Sequence, residues 1–232
     1  MFRALFLALC AAACSAPPPP RVSLGGEGVQ KTEAVNIPVC LIETSKGYGN
    51  GVYLGGRLVA TVLHLFPPGE IVEAEFNGEG QSGVLALLKG KNDKERGEDW
   101  VILRTELSPP PGIPRVDFSL PLQPGDELQI VGYLNIGNVY RKVVFAAKVL
   151  GPPPVLAHPR ELYLSVPGMK TILPGLSGSP VVRVVAGEPV VVGILSHHMR
   201  YVTKKDNAFI AERIVAMRPP WLTSDATCRA PR

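Results

Sequence analysis

The chain has 232 residues, 46% of them hydrophobic, and a formal charge of +4 spread thinly along it. That length suits one large β domain or two small barrels sharing an interface, and the apolar content argues against general disorder. No basic run is interleaved with aromatic residues, so nucleic acid is not an expected partner, and the weak positive charge bears mainly on solubility. The 24 glycines and 24 prolines argue against long helices and favour many short strands joined by turns.

Arg3 precedes an apolar run, Ala4 to Ala13, too short to span a bilayer. Residues 1–13 read as an export signal. Ala11-Ala12-Ala13-Cys14 resembles a bacterial lipoprotein processing site, in which the cysteine becomes the lipidated first residue. Ala11 departs from the larger aliphatic usual there. A cut after Ala16 would place Pro17 just beyond the scissile bond, which makes a poor alternative. The expectation is an exported protein: a cell-envelope lipoprotein lipidated at Cys14, or a periplasmic or secreted one. Any membrane contact would run through that lipid anchor. Residues 14–36, with Pro17 to Pro20 and a Gly-rich polar stretch, read as a tether.

From Ile37, short β-branched or aliphatic runs alternate with turn signals. Strands are expected near 37–43, 51–55, 57–62, 71–77, 82–89 and 99–105, making a first barrel over 37–107. Ser108-Pro109-Pro110-Pro111-Gly112-Ile113-Pro114 can hold neither a central strand nor a helix, so 108–117 reads as an interdomain linker. Strands recur near 126–133, 139–149, 161–166, 179–185, 189–196 and 207–211, within a second barrel over 118–217. A short helix is expected from Ala211 to Met217, and 218–232 is a tail. The fold class is all-β: two six-stranded antiparallel barrels side by side, with a single larger sandwich as the alternative. Cys40 and Cys228 flank this region. Either they form one disulfide, or Cys40 is a buried thiol and Cys228 an exposed one in the tail; the sequence leaves both open.

The strongest local signal is Pro174-Gly175-Leu176-Ser177-Gly178-Ser179-Pro180, two glycines flanking a serine before a β run. Such a turn can present the Ser177 hydroxyl and aim the amides of Gly175 and Ser177 at one spot. Acyl transfer needs that pairing of nucleophile and oxyanion donors. Alone the string is weak, since most like it are plain turns. Two further residues give it weight. His64 closes the apolar strand that Leu58 to Leu63 predict, and Asp99 opens the apolar run Trp100 to Leu103. Each taken singly would read as structural. Together they stand in the order His, Asp, Ser, separated by 35 residues (64 to 99) and 78 residues (99 to 177).

That order and spacing resemble the chymotrypsin-like serine peptidases. Thr61-Val62-Leu63-His64 resembles the family's Thr-Ala-Ala-His, and Asp99-Trp100-Val101-Ile102-Leu103 its Asp-Ile-Ala-Leu-Leu. Gly175-Leu176-Ser177-Gly178-Ser179-Pro180 resembles its Gly-Asp-Ser-Gly-Gly-Pro, and the Gly-Ser-Pro ending is like the glutamyl endopeptidase branch. Asn50-Gly51-Val52-Tyr53-Leu54 resembles an early strand of the first barrel, and Val191 to Ser196 the strand beside the specificity pocket. The resemblance covers residues 37 to 217. It implies a bacterial-type serine endopeptidase acting on polypeptides. Its catalytic residues would be His64, Asp99 and Ser177, its oxyanion donors Gly175 and Ser177, and its pocket residues Thr171, Ser196 and His198. It implies no cofactor and no metal.

Departures from the family carry information. Leu176 replaces the Asp that pairs with a freshly cut N-terminus in animal digestive members, so activation by that ion pair is not expected. Val62 and Leu63 are bulkier than the family's alanines. Thr171 is uncharged where trypsin-like members carry Asp, and Leu195 stands where glutamyl endopeptidases carry histidine. A neutral or small apolar side chain is therefore expected before the cut bond. His197 and His198 alternate faces on a strand and so could hardly share one metal ion. Lys170 is a weaker candidate base than His64. His158 reads as a loop residue and Lys204-Lys205 as a solvated turn.

Overall fold

The computed structural model describes residues 35–67, 72–76, 82–93, 98–107, 110–152, 160–169, 172–202 and 209–218. The export signal, Cys14, most of the tether, His158, Lys170, Thr171, Lys204, Lys205, Cys228 and the tail beyond Arg218 lie outside them.

The first sheet is built from β1 (Val39–Thr44), β2 (Gly47–Gly55), β3 (Leu58–Thr61), β4 (Val72–Phe76), β5 (Ser82–Asp93) and β6 (Glu98–Thr105). It is a closed barrel in the order β1-β2-β3-β6-β5-β4. Closure through the β1–β4 pairing gives each of the six strands two neighbours. Every pairing is antiparallel, which short turns such as Ser45-Lys46 permit.

The second sheet holds β7 (Arg115–Val116), β8 (Glu127–Ile136), β9 (Val139–Val149), β10 (Glu161–Ser165), β11 (Pro180–Val185), β12 (Glu188–Val202) and β13 (Phe209–Met217). Its order is β11-β8-β9-β10-β13-β12-β7, and β11 also pairs with β12, so the sheet returns on itself. Gly137 and Asn138, both with positive φ, form the two-residue turn of the long β8–β9 hairpin. Both central residues of such a turn must be left-handed for it to follow the strands' twist.

Three expectations change. The segment 211–217 is strand, not helix: β13 hydrogen-bonds to β10 on one side and β12 on the other. Two waiting ladders, and β-branched Ile214 and Val215 within the segment, outweigh the helix preference of its Ala, Glu and Arg. The second sheet has seven strands rather than six, because the linker itself supplies one. Arg115 and Val116, just past the prolines, run parallel to Val190 and Val191. His64 does not close a strand; it sits in a 3-10 turn, Leu63–Leu65, after β3.

The apolar interior forms two clusters that meet within the second sheet. The first fills the barrel with Val39, Ile42, Tyr53, Val59, Val101 and Leu103, then continues into Phe118, Val131, Tyr133, Val182, Val191 and Ile194. The second gathers Leu128, Ile130, Leu164, Leu176, Val181, Val190, Val192 and Leu195. Successive residues of a strand face opposite ways. Thus Val190 and Val192 enter one cluster and Val191 the other, which explains the unbroken apolar run there. Cys40 is a free thiol, fully buried in the first cluster. Removal from water pushes its pKa far above the ordinary thiol range.

Candidate active site

His64 and Asp99 come from the first barrel. Thr61 pairs with Val101, so the end of β3 lies beside the start of β6. The 3-10 turn after β3 carries His64 across that start. His64 Nδ1 lies 2.6 Å from Asp99 Oδ2, and the His64 backbone N–H donates to Asp99 Oδ1 at 3.0 Å. Both carboxyl oxygens are thus engaged by one residue, which fixes ring and carboxylate relative to each other. The His64 side chain is 39% exposed and that of Asp99 only 16%. The ring is open to a reacting partner while its anchor is not.

Ser196, on β12, donates its hydroxyl proton to Asp99 Oδ2 at 2.7 Å. The sequence placed Ser196 in the specificity pocket; the structure puts its hydroxyl on the Asp99 carboxylate. With its one proton so used, Ser196 Oγ can only accept from His197 Nδ1, 3.1 Å away. Burial pushes the Asp99 carboxyl up. The hydrogen bond and charge of His64, the Ser196 hydroxyl and the His64 amide outweigh it, so the pKa lies below the ordinary value. Held ionised, Asp99 only accepts. Nδ1 therefore carries a proton, and in the neutral ring Nε2 is the acceptor.

Ser177 stands on the other side, in the turn before β11. Gly175 and Gly178 take positive φ, +92° and +83°, where other residues are strained. Four consecutive carbonyls of the turn are held. Tyr48 donates its hydroxyl to Pro174 O at 3.3 Å. Asn50 Nδ2 donates to Gly175 O at 2.6 Å. Ser179 N–H donates to Leu176 O at 3.0 Å, and Asn50 N–H to Ser177 O at 2.7 Å. The amides of Gly175 and Ser177 are committed to no acceptor among the described residues. Leu176 is fully buried in the second cluster, so an apolar side chain plugs the turn into the core.

The two sides meet through β12. Gly178 N–H donates to Leu195 O at 2.7 Å, and Leu195 N–H to Ser179 O at 2.8 Å. Ser196, the next residue, holds Asp99. Hydrogen bonds therefore run from His64 through Asp99 and β12 to the peptide after Ser177. Among the described residues, no hydrogen bond joins the His64 ring to the Ser177 hydroxyl. His198 is described only as a backbone position on β12, opposite Ile214.

Sequence reasoning missed Asn50 and Tyr48. Asn50 is fully buried, and its side chain also bonds both the carbonyl (3.2 Å) and the amide (2.6 Å) of Tyr133 on β8. The signal was present as a polar residue between Gly49 and Gly51 inside a strand, a pattern that marks a close backbone approach.

No protein-family model matches the chain, and no curated protein matches it. Solved structures do. One is the inactive form of Rv3671c protease, at 17% identity and TM-score 0.53, covering 78% of this chain and 82% of that one. A mutant of Rv3671c from M. tuberculosis H37Rv, also in an inactive form, gives 18% identity and TM-score 0.51 over 78% and 80%. A scabies mite inactivated protease paralogue, S-D1, gives 13% identity and TM-score 0.59 over 78% and 86%. At such identities the likeness is one of fold: this chain has the chymotrypsin-like fold of serine proteases.

Proposed function

We propose that the chain is a serine endopeptidase of bacterial type, with Ser177 as nucleophile, His64 as general base and Asp99 as the group that orients it. The observation that carries this reading is the pair of bonds between His64 and Asp99, with the Nδ1 contact at 2.6 Å, linked through Ser196 and Leu195 to a glycine-flanked serine turn. Asp99 keeps the proton on Nδ1, so Nε2 takes the Ser177 proton as the hydroxyl attacks a carbonyl, then returns it to the leaving amine. The amides of Gly175 and Ser177 receive the oxyanion. One such donor typically contributes about 2.7–4 kcal/mol of barrier lowering. The missing His64–Ser177 hydrogen bond fits an enzyme at rest, since such contacts often tighten only once substrate is bound. Substrates would be polypeptides with a neutral or small apolar residue before the cut bond, with Thr171 and His198 lining the pocket.

The same missing bond favours a second reading, a non-catalytic binding module on this fold. A fluorophosphonate probe separates the two. The peptidase reading expects covalent labelling of Ser177, abolished in Ser177→Ala, together with cleavage of a peptide library. An unlabelled, folded protein that cleaves nothing would support the binding module. Turnover of esters but not amides would make the chain an esterase using the same residues.

A further inference from the structure

Resting on the peptidase reading, we propose that Tyr48 is a positioning residue whose phenol aims the oxyanion donor Gly175. A peptide unit is planar and trans, so its carbonyl and its amide point in opposite directions. The Gly175 amide shares its plane with the Pro174 carbonyl. Whatever holds Pro174 O therefore sets where the Gly175 N–H points.

Gly175 needs such a hold. Its φ of +92° lies where glycine is at home, and glycine turns about its flanking bonds more freely than any other residue. Asn50 fixes the peptide on the far side through Gly175 O. On the near side Tyr48 donates to Pro174 O. The phenol is itself oriented, because Asn135 N–H on β8 donates to Tyr48 Oη at 3.0 Å. With its acceptor side so occupied, the phenolic proton is directed at Pro174 O. The ring also covers the turn: a Cβ on Gly175 would lie 2.2–2.4 Å from its Cε2, Cζ and Oη atoms. The Tyr140 ring stands edge-on to Tyr48, with centroids 5.0 Å apart at 67°, and its own hydroxyl donates to Glu43. Tyr48 thus reaches from the first barrel to the nucleophile turn with little freedom to move.

Tyr48→Phe removes the hydroxyl and keeps the ring. In ¹⁵N-labelled protein the Gly175 amide should give one sharp resonance in the wild type and in Tyr140→Phe, and a shifted, doubled or broadened one in Tyr48→Phe. In turnover, Tyr48→Phe should lose about tenfold in kcat at unchanged KM, less than the roughly 100-fold or more lost with a whole oxyanion donor. Affinity for a peptide aldehyde, whose adduct places an oxygen between the two amides, should fall in parallel. An unchanged Gly175 resonance in Tyr48→Phe would overturn the proposal. So would an equal kinetic loss in Tyr140→Phe, which would indicate general loosening. If the wild type neither labels nor turns over, the peptidase reading has failed, and the Gly175 resonance still decides whether Tyr48 holds this peptide.

Discussion

Asp99 is where burial and charge compete most directly. Leaving water pushes its carboxyl up, yet three donors (the His64 ring, the His64 amide and the Ser196 hydroxyl) hold the pKa below 3.8, its ordinary value. A carboxyl whose folded pKa is depressed stabilises the fold at pH above its unfolded pKa. That contribution is lost as pH falls through the folded value. Asp99→Asn should therefore be less stable than wild type at neutral pH, and the gap should narrow on the acid side of 3.8. Denaturant titrations of both proteins at descending pH measure it, and a gap independent of pH would count against the assignment. Turnover at neutral pH should drop by about 10⁴, because an amide in place of the carboxylate favours the wrong tautomer of His64. His64, Asp99 and Ser177 stood out in the sequence because the chemistry proposed for them requires particular residue types in a known order. The tasks of Ser196 and Tyr48 were not, because each is defined by a contact across many residues: Ser196 with Asp99, and Tyr48 with Pro174.

Among the elements, strands were legible wherever the apolar run was bounded by turn residues. Val139–Val149 matches its expected range, and so does the start of β5 at Ser82. Failures came where the neighbours decide. The segment 211–217 has helix-forming residues, but it lies between β10 and β12, whose open hydrogen bonds it completes. Residues 115–116 follow a proline run that reads as pure linker, yet Arg115 and Val116 find β12 beside them. The turn at Ser177 was legible because glycine is demanded there twice over. Gly178 has φ +83°, and an added Cβ would come 1.8 Å from Asn50 O and 2.3 Å from Thr61 Oγ1. The first of these is backbone and cannot step aside. Gly178→Ala should thus cost about 3 kcal/mol or more, near the top of the usual range for one substitution, and should displace Ser177. Thermal unfolding and fluorophosphonate labelling test this together. A stable Gly178→Ala protein that still labels at Ser177 would show that the turn is looser than its contacts imply.

Across the whole molecule, the two sheets are joined by apolar packing and by polar contacts, among them those of the buried Asn50 and Ser196. Phe118, Tyr133 and Val191 continue the barrel's interior into the second sheet, and that contact is non-directional. Asn50 supplies direction. From β2 it reaches Tyr133 on β8 and the turn that carries Ser177, so the half holding His64 and Asp99 is registered against the half holding Ser177. Removing it should affect both stability and chemistry. Asn50→Ala removes the side-chain bonds to the amide and carbonyl of Tyr133 and to the carbonyl of Gly175. At roughly 0.5–1.5 kcal/mol net for each bond, a loss of about 2–4 kcal/mol is expected. Asn50→Asp is the more telling change. It preserves shape but replaces the two-proton amide with an acceptor-only carboxylate, placing an oxygen against Gly175 O and Tyr133 O. At neutral pH it should be at least as destabilising as Asn50→Ala. Protonating the new carboxyl in acid restores one donor, so its deficit should shrink there, whereas that of Asn50→Ala should not. Unfolding free energies of both variants at neutral and acid pH measure this. An Asn50→Asp protein as stable as wild type at neutral pH would mean that the Asn50 side chain does not hold the two halves together.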